Sequence, residues 1–63
     1  MTHAAELSSM GATIEELTHR FGAIAESYEG TRRDDLVAEV HEIERALQTA
    51  GRRIDRLVRL PGA

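Results

Sequence analysis

The stretch Ser27-Tyr28-Glu29-Gly30-Thr31-Arg32-Arg33-Asp34-Asp35-Leu36 decides the fold, because a turn and a slip in hydrophobic phase coincide there. Before it, Leu7, Met10, Ile14, Leu17, Phe21, Ile24 and Tyr28 recur at alternating spacings of three and four. After it, Leu36, Val40, Ile43, Leu47, Ala50, Ile54 and Leu57 do the same. Each run is the heptad signature of an amphipathic helix with one packed stripe. Folding the chain about position 32 pairs the runs end to end, Tyr28 with Leu36 through to Leu7 with Leu57, and sets Met10 against Ile54 and Ile14 against Ala50. A single helix through Gly30 would swing the second stripe to another side and would carry a glycine costing about 1 kcal/mol relative to Ala. The sequence therefore predicts an all-α, antiparallel two-helix hairpin of the coiled-coil type.

Capping residues set the expected boundaries. Thr2 suits an N-cap for a first helix over about 4–29, although Thr13-Ile14-Glu15-Glu16 has the spacing of a capping box and offers a rival start. Gly30 suits the left-handed position that ends a helix, with the turn at about 30–31. Thr31, with Asp34 three residues on, then reads as the N-cap of a second helix over about 32–60. Asp34 and Asp35 fall in its first turn and Arg52 to Arg59 in its last, each where the helix dipole favours that charge. Pro61-Gly62 closes it. The whole of 1–63 is one unit.

A chain of 63 residues lies below the size at which one core is comfortably stable. One seam between two helices leaves the balance against chain entropy near zero, so a disulfide, a metal or a second chain is needed. Cysteine is absent, and the expectation is association of two hairpins into a four-helix bundle. The surface assigned to it is a flank beside the heptad stripe. There, Ala4 meets Val58, Gly11 meets Gly51, Thr18 meets Glu44 and Ala25 meets Val37. Gly11, Thr18, Ala25, Val37, Glu44, Gly51 and Val58 are the candidate interface residues, with the two glycines thinning the wall for a neighbouring helix. Glu44 would either pair with Arg45 of a partner chain or reach out to water. The opposite flank, where Glu6 meets Leu60, Thr13 meets Arg53, Arg20 meets Ala46 and Ser27 meets Glu39, is expected to face water.

Catalysis is not expected. Glu16-Leu17-Thr18-His19 has the Glu-x-x-His spacing of carboxylate-bridged metal sites, but Leu17 and Phe21 on the stripe turn Glu16 and His19 to solvent, where they cannot ligate inside a bundle. No serine has a histidine beside it on the same helical face, no glycine-rich phosphate loop is present, and a filled two-helix core leaves no cavity. No cofactor is called for. No charged-then-apolar leader and no apolar run of membrane-spanning length point to export or insertion, so a cytoplasmic protein without membrane contact is expected.

The net charge of −3 is unevenly spread. Glu6, Glu15, Glu16, Glu26 and Glu29 face one Arg20 in the first helix. Arg45, Arg52, Arg53, Arg56 and Arg59 face one Asp55 late in the second. Arg52, Arg53, Arg56 and Arg59 form a candidate basic patch. In length, hairpin layout and a turn near residue 30 the chain resembles the Rop-like dimeric hairpins that bind RNA. That resemblance implies recognition through the outer surface of the first helices, which here is acidic and repels phosphate. Tyr28-Glu29-Gly30 is similar to the aromatic-x-Gly turn of the WXG100 secretion family. It carries Tyr for Trp, on shorter helices and without the family's C-terminal Tyr-x-x-x-Asp/Glu signal. The function expected from the residues themselves is a non-catalytic interaction or regulatory module that binds its own copy or a partner protein's helix.

Overall fold

Gly30 takes φ +78°, and the chain reverses around it. In the computed structural model, which describes residues 2–63, two helices follow one another, α1 over Ala4–Ser27 and α2 over Asp34–Arg59. They pack side by side as a rod of 51 × 14 × 10 Å. The hairpin and its left-handed glycine are as the sequence predicts. Since Ala resists that conformation by about 1–2 kcal/mol, Gly30→Ala should lower the melting temperature. In an uninterrupted helix the same change would raise it.

The turn is longer than two residues. α1 stops at Ser27, and residues 28–33 make the connection. Thr31 is not the N-cap of α2; that place is taken by Arg33, whose side chain makes no capping bond. Thr31 holds the turn itself: its hydroxyl donates to the Tyr28 carbonyl at 2.6 Å, and the same oxygen accepts from the Arg33 N–H at 3.3 Å. A threonine hydroxyl can satisfy backbone groups two or three residues away as readily as it caps a helix, and here the local loop competes successfully. Asp35 lies in the first turn of α2 with the Arg33 guanidinium 3.2 Å away. That contact, and next the Leu36 N–H, holds its carboxyl below the ordinary value. At the other end of the hairpin His3, not Thr2, is the N-cap of α1. Thr13 is internal, its hydroxyl donating to the Ser9 carbonyl at 3.2 Å, so the rival start is not used.

The packed stripe differs from the one the heptads predict. On α1 the covered positions are Ala4, Leu7, Gly11, Ile14, Leu17, Thr18, Phe21, Gly22 and Ala25, and on α2 Leu36, Val37, Val40, Glu44, Leu47, Ala50, Gly51, Ile54 and Val58. A Cβ built on Gly11 would stand 3.5 Å from the Ile54 side chain, and one on Gly51 would stand 3.7 Å from that of Ile14. The mirror point therefore lies between Arg32 and Arg33, one residue-pair step from the predicted one. Gly11 replaces Met10 opposite Ile54, and Gly51 replaces Ala50 opposite Ile14. Large side chains facing glycine interdigitate and let the backbones approach; Met10 against Ile54 would hold them apart.

Candidate protein interface

The rotation of both helices changes which apolar residues are left in water. Leu7, Ile14, Leu17, Phe21, Tyr28, Leu36, Val40, Leu47, Ala50 and Ile54 are covered as the predicted stripe requires. Met10, Ile24, Ile43 and Leu57 are not, and they are the exposed large hydrophobics of the two helices, with Leu60 just beyond α2; Met10 is 51 % exposed and Leu57 42 %. Met10, Leu17 and Ile24 are spaced by seven on α1, and Leu36, Ile43, Ala50 and Leu57 by seven on α2. Residues seven apart stand almost above one another on a helix. In an antiparallel pair these two lines fall on the same side of the seam, so the hairpin carries one apolar face along most of its length.

Of the seven residues assigned to an interface from the sequence, Gly11, Gly51 and Glu44 lie near the opposite helix, beside Ile54, Ile14 and Gly22. Ala25 is the single buried residue among those described, at 6 % exposure. Gly11, Thr18, Val37, Glu44, Gly51 and Val58 are half-buried around the same seam. The Thr18 hydroxyl donates to the Ile14 carbonyl at 2.9 Å. Glu44 bonds His41 Nδ1 at 3.1 Å, and its other carboxylate oxygen lies 3.6 Å from where a Cβ on Gly22 would stand. A glycine thus makes room for a carboxylate at the seam, and Glu44 finds its partner one turn back on its own helix. Sequence inspection missed Gly22. Its signal was the cost of a glycine inside a helix, about 0.5–1 kcal/mol, which calls for a packing reason.

The glycines of the seam are not tightly filled. Contacts of 3.5 and 3.7 Å are ordinary van der Waals distances. Gly11→Ala and Gly51→Ala should therefore each stabilise the protein by about 0.5–1 kcal/mol through helix propensity, read as a rise in melting temperature. An unchanged or lower melting temperature would mean the helices sit closer than these distances.

Where the glycines thin the wall on the other side of the hairpin, an open groove of about 700 Å³ runs beside Gly11 and Gly51, edged by Ser8, Glu15, His19, Gln48, Arg52 and Asp55. Glu16 and His19 are both exposed, and among the described residues no three metal-ligating side chains cluster. Arg52, Arg53, Arg56 and Arg59 do come together. With Thr49 and Asp55 they line a concavity of about 490 Å³, and Arg52 bonds the Thr49 hydroxyl at 3.4 Å.

The exposed surface of the hairpin is 5061 Å². A compact monomer of 7.0 kDa exposes roughly 4,000 Å². The excess of about 1,000 Å² reflects the elongated shape of a rod of 51 × 14 × 10 Å. Among the described residues no helix is long and apolar enough to cross a membrane. Comparison of the chain with protein-family models, with curated proteins and with solved structures gives no match.

Proposed function

We propose that the chain is a non-catalytic self-association module, in which two hairpins lay their apolar faces together and form a four-helix bundle. The observation that carries this reading is the line of exposed apolar side chains at heptad spacing, Met10 and Ile24 on α1 and Ile43 and Leu57 on α2, flanking the seam on one face. In a bundle of two hairpins the small residues Gly11, Ala25 and Gly51 set the spacing within each hairpin. The bulky residues of the two faces supply the core that a single hairpin lacks. A second copy suits this face because it offers the same heptad spacing in return. The surface that remains, polar along the Gly11 and Gly51 groove and basic at the end of α2, is what such a bundle would present to other proteins. Nucleic acid is served less well, since the outer surface of α1 carries Glu15, Glu16 and Glu26 against Arg20.

Sedimentation equilibrium tests this directly. The expected mass is twice 7.0 kDa at micromolar concentration, with a melting temperature that rises as protein is added, because association stabilises by mass action. A folded particle of 7.0 kDa whose melting is independent of concentration would overturn the proposal.

A further inference from the structure

The hairpin is electrically polar along its length. Its antiparallel course puts the start of α1 beside the end of α2. The open third, residues 1–11 and 52–63, carries Arg52, Arg53, Arg56 and Arg59 against Glu6 and Asp55, a net of +2. At the turn, residues 22–43 carry Glu26, Glu29, Asp34, Asp35, Glu39 and Glu42 against Arg32 and Arg33, a net of −4. The middle third, with Glu15, Glu16 and Glu44 against Arg20 and Arg45, is −1, and the three sum to the −3 of the chain. The rod is 51 Å long, several times the screening length of about 8 Å at physiological salt. Each end therefore responds to what lies beside it and not to the far end.

Resting on the self-association proposed above, we infer that the second copy docks antiparallel, with its acidic turn beside the basic open end of the first. Two parallel hairpins would put −4 beside −4 at the turns and +2 beside +2 at the open ends. Reversing one hairpin puts +2 beside −4 at both ends. Apolar faces alone do not choose between the arrangements, since heptad lines can be superposed in either direction. Charge acts on direction because like charges brought together destabilise an interface while opposite ones specify its register. The choice also fixes what the bundle displays. An antiparallel dimer carries a basic cluster and an acidic turn at each end and has no overall polarity; a parallel dimer would have one acidic and one basic end.

Spin labels on Arg32→Cys, an exposed position in the turn, and on Ala5→Cys, an exposed position at the open end, read the arrangement without touching the apolar face. In the antiparallel dimer the Arg32→Cys labels are separated by close to the 51 Å rod length, and an equimolar mixture of the two variants gives a distance below about 20 Å, the width of two neighbouring helices. In a particle of dimer mass, Arg32→Cys labels within that width of each other would overturn the antiparallel orientation while leaving self-association standing. A particle of any other mass would overturn the two-copy reading itself. The two failures are told apart by measuring mass on the labelled samples.

Discussion

Replacing both Ile24 and Ile43 with glutamate should leave a chain that is monomeric and largely unfolded at micromolar concentration. Both side chains are outside the α1–α2 seam, at 44 % and 37 % exposure. In a lone hairpin more than half of each side chain is already covered, so their replacement costs roughly 1 kcal/mol each, offset in part because glutamate is the better helix former. The lone hairpin thus predicts a modest loss of stability at unchanged mass. In a bundle, four carboxylates are brought into an apolar interface without partners, and an uncompensated buried charge costs several kcal/mol. Sedimentation equilibrium and far-ultraviolet circular dichroism separate the two cases. Full helicity at unchanged mass would show that this face is not buried. Val37→Glu and Val58→Glu would not make that distinction as cleanly, because both valines are already half-buried within the single hairpin.

Ala25→Leu should produce the second largest effect. Ala25 is the most enclosed of the described residues. Its methyl lies where α1 faces α2, and three further carbon atoms have no space unless the helices move apart. Overpacking of this kind costs about 1–3 kcal/mol, which for so small a unit is a fall in melting temperature of roughly 5 to 20 °C. Ala23→Leu adds the same atoms two residues away on the exposed side of α1 and should change the melting temperature little. Equal effects of the two substitutions would show that Ala25 is not at the closest approach of the helices. Loss of stability at Ala25 alone would place the narrow side of the seam on the small residues.

These expectations depend on one rotation that periodicity could not supply. Along α1 the sequence holds two overlapping stripes with the same alternation of three and four. One adds Met10, Leu17 and Ile24 to Leu7, Ile14 and Phe21; the other adds Ala4, Gly11, Thr18 and Ala25. Hydrophobicity ranks the first stripe higher, and the sequence-based assignment followed it. The structure brings the second toward the opposite helix while leaving Leu17 half-buried, because Gly51 opposite Ile14 and Gly11 opposite Ile54 let the backbones come close. Glu44 joins that seam against hydropathy, since Gly22 leaves space for its carboxylate and His41 bonds it. Met10, Ile24, Ile43 and Leu57 are thereby left exposed on the bulky flank.

What the sequence by itself determined is local: two helices, from the heptad recurrence and the dipole-matched charges at their ends, and a reversal at Gly30, from the phase slip that a left-handed glycine can accommodate. Those signals sit within a few residues of one another, and backbone geometry translates them directly into structure. The tertiary structure alone decided which side of each helix faces the other, that Arg33 and not Thr31 precedes α2, and that Met10, Ile24, Ile43 and Leu57 stay outside. Each of these turns on complementarity of shape between residues some 20 to 50 positions apart, such as Gly11 with Ile54 and Gly22 with Glu44, or on competition among hydrogen bonds within the turn. A periodic pattern gives the direction of a helical face only to within about half a turn's neighbour, and steric fit between the two helices selects among the faces that remain.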